Sequence, residues 1–240
     1  MLAGIHMRLA LALFLGSYVV GAAGGVFSVT PVRIHMTPKD RAVAVTVINE
    51  GDTAVVLQAD LNLWTQKADG ADELTLSDDL ILSPPIIKLA PKARQVVRLA
   101  LLVPADAGKQ LTYRLILREI PEAVQQKNGA VQVPIALALS MPVFITPPKA
   151  TRDMSCKPDR DGDKVTVQCT NNGTAYAQIR EISVSRHGQI EASFEGGVYV
   201  LPGAYKTISL KSANPVPAGM AQLIVGYDDI KRQSFDVTLP

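Results

Sequence analysis

Short segments of alternating apolar and polar residues, separated by glycine- and proline-marked turns, predict an all-β chain. No window sustains a 3.6-residue period with caps at both ends, so no helices are expected. A double proline in Ile145-Thr-Pro-Pro-Lys149 interrupts the pattern and stiffens the chain at the best candidate for a domain boundary.

Before that boundary, residues 43–48 and 54–64 read as strands joined by the turn at 49–53. Lys67-Ala-Asp-Gly70 closes the next turn, and residues 80–82 begin a short strand interrupted by Ser83-Pro-Pro85. Residues 95–103 and 112–120 are further strands, the second ended by Pro121, and a polar loop follows to residue 130. Seven or so such strands describe an immunoglobulin-like sandwich. After the boundary, residues 165–169, 176–184, 197–201, 206–210, 222–227 and 234–239 alternate in the same way, which predicts a second, smaller sandwich.

The stretch from Val131 to Ile145 stands apart. Val131, Val133, Ile135, Leu137 and Leu139 recur with a period of two, and no charge interrupts the row. Pro134 lacks a backbone donor and suits an edge strand. An undisguised apolar edge invites pairing with another chain. Either the chain's own domain covers this strand, or the strand is given to a partner.

The 240 residues carry a net charge of +2, too mild a basicity to argue for nucleic acid. An apolar content of 48% is ample for burial, but aromatics are only 5%, so Val, Leu, Ile and Ala must fill the cores. At the start, Arg8 supplies a positive n-region, residues 9–20 an apolar h-region and Gly21-Ala-Ala23 a small-residue cleavage context. Residues 1–25 therefore read as a signal peptide, with a retained membrane anchor as the alternative. Export makes Cys156 and Cys169 interpretable. They flank the turn Asp159-Arg-Asp-Gly-Asp163, and two adjacent antiparallel strands in an oxidising compartment would join them, with two reduced thiols as the alternative.

Three ordered motifs resemble one family. Ser83-Pro-Pro-Ile-Ile-Lys-Leu-Ala-Pro-Lys-Ala-Arg-Gln-Val-Val-Arg98 is similar to the proline-pair and Val-Arg segment of periplasmic pilus chaperones. Tyr113-Arg-Leu-Ile-Leu-Arg-Glu-Ile-Pro121 is similar to their segment ending in Glu-Ile-Pro, and Leu139-Ser-Met-Pro-Val-Phe-Ile-Thr-Pro147 to the strand and linker that follow. The likeness runs from Phe27 to the end, weakly in the second half.

The resemblance implies a periplasmic chaperone of the chaperone–usher pathway, with no cofactor and no enzymatic activity. Its two immunoglobulin-like domains, at residues 26–146 and 149–240, are expected to join at an angle. Such chaperones bind pilus subunits by donor-strand complementation and deliver them to an outer-membrane usher. Val131, Val133, Ile135, Leu137 and Leu139 would then be the donor row. The family anchors the subunit's terminal carboxylate with basic residues in the cleft between domains. Arg33, in Thr30-Pro-Val-Arg-Ile34 on the expected first strand, matches the family's arginine. Its last-strand lysine falls near Pro142 here, a departure that resembles the archaic, non-classical branch, and Arg114 is the candidate replacement. One of Asp228 and Asp229 should pair with an arginine across the domain interface.

Other chemistry is sparse. The Asp159–Asp163 segment lacks the glutamate of a calcium loop and suits a hairpin turn instead. Only His35 and His187 lie beyond the signal, too few for a metal cluster. No Gly-x-Ser-x-Gly elbow occurs, and Trp64 is expected in the core. An exported structural or adhesive protein built from two such sandwiches is the alternative function.

Overall fold

The computed structural model describes residues 27–121 and 135–240. The proposed signal segment, Val131 and Val133 lie outside the described residues. The described chain is all β. Seventeen strands form four sheets, packed as two sandwiches.

The first sandwich contains β1 (Phe27–Thr30), β2 (Ile34–Met36), β3 (Ala42–Asn49), β4 (Val55–Gln66), β5 (Asp72–Leu76), β6 (Leu80–Ser83), β7 (Ile86–Leu89), β8 (Arg94–Leu101), β9 (Leu111–Glu119) and β10 (Ala138–Ile145). One sheet has the order β1-β3-β8-β6; the other runs β2-β10-β9-β4-β5, with β7 also on β4. Their facing sides bury Val45, Val47, Leu57, Leu99, Leu115, Leu117 and Val143. These residues alternate along their strands, as a one-sided sheet requires.

The second sandwich contains β11 (Met154–Asp161), β12 (Lys164–Asn171), β13 (Ala177–Arg186), β14 (Gln189–Val200), β15 (Tyr205–Ser209), β16 (Gly219–Tyr227) and β17 (Arg232–Leu239). Its sheets are β11-β12-β15 and β14-β13-β16-β17. Cys156 and Cys169 stand directly opposite each other in the β11–β12 hairpin and form a disulfide inside its core. The Asp159–Asp163 segment is that hairpin's end, with Gly162 at φ +57° in the tight turn.

The two sandwiches share a local device. Asn49 ends β3 and Asn171 ends β12, and each is fully buried. Asn49 Nδ2 donates to the carbonyls of Thr53 (2.7 Å) and Ala90 (3.0 Å), while its Oδ1 accepts from Gly51 N–H (2.9 Å). Asn171 repeats this with Ala175 (2.8 Å), Val200 (3.0 Å) and Gly173 N–H (3.0 Å). A short amide side chain thus satisfies the backbone where strand gives way to turn.

Several expectations are corrected. Arg33 is not on the first strand but in the bend between β1 and β2, where the chain leaves one sheet for the other. Of the strand expected from residue 131, the described part is a strand from Ala138 to Ile145, and residues 135–137 lie outside any ladder. Strands β5 and β7 were not foreseen. β5 is exposed throughout, so its residues carry no burial pattern, and β7 is only four residues long and follows directly on Ser83-Pro-Pro85.

Candidate functional site

Trp64 is fully buried, but not in the core of the first sandwich. It lies on the opposite face of the six-stranded sheet, with Phe144 and Leu201, against Tyr176 and Tyr199 of the second sandwich. The parity of β4 explains this: Leu57 and Leu61 face inward, so Asn62, Trp64 and Gln66 face outward. Aromatic contacts fill the junction, with Phe144 stacked on Tyr176 at 4.0 Å between ring centroids and Tyr199 edge-on to Trp64 at 5.2 Å.

Polar clamps surround this cluster. Gln66 Nε2 donates to Tyr199 O (2.9 Å), and its Oε1 accepts from Leu201 N–H (2.9 Å). Gln110 does the same at the other end, its Oε1 accepting from Tyr176 N–H (2.8 Å) and its backbone N–H donating to Thr174 O (2.9 Å). Lys206 pairs with Asp72 at 2.9 Å. Gly70, at φ +83°, lets the β4–β5 turn approach the second sandwich; a Cβ there would stand 2.9 Å from Tyr205 O.

Arg33 crosses the junction. Its guanidinium donates to Asp228 (2.5 Å), to Tyr176 Oη (3.1 Å) and to Gln178 Oε1. Burial opposes its charge, yet Tyr176, Tyr199 and Asp228 outweigh that cost and raise its pKa above the arginine norm. Burial and Asp228 push the Tyr176 hydroxyl up to about 12. His35 lies 6.4 Å from the Tyr176 ring and 5.7 Å from that of Phe144; burial and then Arg33 lower its pKa. Of the two candidate aspartates, Asp228 meets the arginine of the first sandwich, while Asp229 binds Arg152 (3.3 Å) beside it.

Arg114 is different. It is paired with Pro142 across the β9–β10 ladder, and its guanidinium lies 3.7 Å from the Trp64 ring centroid and 5.5 Å from that of Tyr199. Among the described residues it makes no ion pair and donates no side-chain hydrogen bond. Burial lowers its pKa, against the raising influence of Tyr199 and Asp72. Asp72 is already engaged by Lys206 and Gln66. Among the described residues, Arg33 and Lys206 of this junction are balanced by carboxylates, whereas Arg114 is stacked and has no counter-ion.

An open backbone edge leads to Arg114. β2 pairs only with Val143–Ile145 of β10, so from Ala138 to Pro142 the outer edge of β10 has no partner among the described residues. Leu139 packs partly against the core, whereas Leu137 is 39% and Ile135 62% exposed. The backbone N–H of Glu119 donates to Leu137 O (2.8 Å), holding this segment beside β9. No group of three His, Cys, Asp or Glu side chains among the described residues could hold a metal ion.

Residues 26–151, just over half of the chain, match the pili and flagellar-assembly chaperones through the PapD N-terminal domain. This chain belongs to that family. No curated protein sequence matches the chaperone. Solved structures share its fold over nearly its whole length. One is the chaperone–tip adhesion subunit pre-assembly complex CsuC–CsuE from archaic chaperone-usher Csu pili of Acinetobacter baumannii, at 20% identity over 90% of this chain and 99% of that chain, TM-score 0.65. Another is the CupB2 chaperone of Pseudomonas aeruginosa, at 18% identity over 89% and 100%, TM-score 0.58. A third is the Salmonella enterica SafA pilin in complex with the SafB chaperone, at 16% identity over 89% and 96%, TM-score 0.57. The chaperone thus shares the two-sandwich fold of pilus-assembly chaperones.

The sequence pointed to Arg33 and Arg114 and to the apolar row, but not to the aromatic platform or the glutamine clamps. Four aromatics meet in this cleft, Trp64, Phe144, Tyr176 and Tyr199, and carry no common motif; the parity of Trp64 on β4, opposite to that of Leu57 and Leu61, was the signal that could have placed it outside the core.

Proposed function

We propose that this chaperone holds pilus subunits in the periplasm by donor-strand complementation and delivers them to an outer-membrane usher. Residues 1–25 act as the signal peptide, 26–146 as the N-terminal chaperone domain and 149–240 as the C-terminal domain. The observation that carries the reading is the open edge of β10, flanked by exposed Ile135 and Leu137 and running directly to a cation without a counter-ion.

A strand of an incomplete subunit pairs along that edge, and Val131, Val133, Ile135, Leu137 and Leu139 fill the groove of its unfinished sandwich. Burying four such side chains contributes roughly 6–12 kcal/mol before ordering costs, enough to hold an otherwise unstable fold. The subunit's terminal carboxylate meets the cleft cations and sets the register, because a one-residue slip would turn every side chain to the wrong face. Arg33 is already neutralised by Asp228, so Arg114 supplies the contact and Arg33 holds the aromatic junction beside it. Binding without bond-making or bond-breaking is all this requires, which agrees with a chaperone rather than an enzyme.

Co-expression with a pilus subunit should yield a stable 1:1 complex that is lost when Ile135 and Leu137 both become Asp. A subunit that stays equally soluble and protease-resistant beside the double variant would overturn the reading.

A further inference from the structure

Asn62 is 7% exposed, yet its Nδ2 meets no acceptor among the described residues. The Nε1 of Trp64, two residues along the same face of β4, is also buried without a partner. Buried donors of this kind are uncommon, and each costs about 1–3 kcal/mol when unmet. Both belong to the patch around Arg114. Asn62 stands directly opposite Arg114 in the β4–β9 ladder, which places their side chains side by side. The Arg114 guanidinium lies over the Trp64 ring.

The nearby carboxylates are already taken. Asp60 accepts from Gln58 (3.1 Å) and faces Arg118 (3.6 Å). Asp72 is held by Lys206 and Gln66, and Asp228 by Arg33 and Tyr176. Three adjacent donor groups, Asn62 Nδ2, Trp64 Nε1 and the Arg114 guanidinium, have no acceptor among the described residues. A group with two anionic oxygens would supply acceptors to them.

We infer that Asn62 is a second carboxylate contact, with Arg114 binding one oxygen of a peptide's terminal carboxylate and Asn62 Nδ2 the other. The inference rests on the reading of Arg114 as the anchor in the proposed function. A two-point clamp fixes the carboxylate's orientation as well as its position, which a cation alone leaves free to rotate. Asn62 is therefore a specificity residue for free chain ends over internal carboxylates or amidated ends. Its cost is carried by the fold: a buried donor is kept unpaired until a ligand arrives.

The test uses the sole tryptophan as reporter. A synthetic peptide of alternating apolar residues with a free C-terminal carboxylate is titrated against the full chaperone, beside the same peptide amidated. The free acid should bind more tightly and change Trp64 emission as Arg114 shifts on the ring. Asn62→Leu should cut the acid-over-amide preference by about tenfold or more, the range of a hydrogen bond to a charged group. It should leave the melting temperature unchanged or higher, because an unmet buried donor is removed. Asn62→Asp, close in shape, should reverse the preference by repulsion and covers the case in which the leucine variant does not fold. If Arg114→Ala abolishes the preference while both Asn62 variants keep it, the inference about Asn62 fails and the anchor stands. If Arg114→Ala keeps the preference, or the wild type shows none, the anchor reading fails with it.

Discussion

Arg114 and Pro142 stand opposite each other across the β9–β10 ladder, and the Arg114 guanidinium rests 3.7 Å from the centre of the Trp64 ring. The proposed function assigns the carboxylate-anchoring role to this arginine, on the strand next to β10 and at the position directly paired with Pro142. A guanidinium on an aromatic face keeps its hydrogen-bonding edge free while the ring supports its plane. Arg114→Ala should weaken subunit binding by about 2–5 kcal/mol, the range for truncating one partner of a buried charge pair. Arg114→Lys should recover part of it, having charge without the fork. Competition binding against wild type measures both.

The exposed apolar row predicts a separation of binding from stability. Ile135 and Leu137 contribute little to the chaperone's own core, so replacing both by Asp should change its unfolding free energy by no more than about 1 kcal/mol. Complex formation should be lost in the same protein. Urea unfolding of the free chaperone, beside subunit co-purification, tells the two apart.

Arg33 and Asp228 hold the sandwiches together across the aromatic junction, and both side chains are partly shielded, at 29% and 17% exposure. A double-mutant cycle with Arg33→Gln and Asp228→Asn should give a coupling of about 0.5–3 kcal/mol by thermal unfolding. Asp229→Asn should not couple to Arg33, because Asp229 binds Arg152 instead.

Acid should loosen this junction. Burial and Arg33 lower the pKa of His35 in the folded protein below its ordinary 6.5. The unfolded chain then binds the proton first, so the stability His35 lends is complete above pH 6.5 and is lost as pH falls toward its folded value. Asp72 and Asp229, also held below the ordinary carboxylate value, add losses only at lower pH, below about 3.8. Melting temperatures measured from pH 7.5 to 5 should fall for the wild type and fall less for His35→Gln.

The disulfide should matter to the second sandwich alone. Cys156 and Cys169 close a loop of 13 residues across the β11–β12 hairpin. Replacing both by Ser should cost about 3 kcal/mol in the chain-entropy treatment. Limited proteolysis should then find cleavage sites within residues 154–239 first, with the first sandwich still resistant.

Much of the fold was legible because one-sided sheets write their burial into alternate residues. Val43, Val45 and Val47 announced β3, and the run from Thr112 announced β9. The β11–β12 disulfide was legible too, since two cysteines about a hairpin turn leave little choice of partner. Strands without a buried face, such as β5, wrote nothing. Arg33 was expected on a strand and lies in a bend, because the β1–β2 crossover between sheets depends on which strands pair, not on local pattern.

The apolar row, the signal-like pattern of residues 1–25 and the choice of Arg33 and Arg114 came from sequence alone, since each is a matter of residue type and spacing. Which cation is neutralised was not. Arg33 and Asp228 are 195 residues apart, and Arg114 meets Trp64 only because both project from the outer face of one sheet. Ion pairing and desolvation depend on distances between remote side chains, so only the tertiary structure could leave Arg114, with Asn62 beside it, as the cation in this cleft without a counter-ion among the described residues.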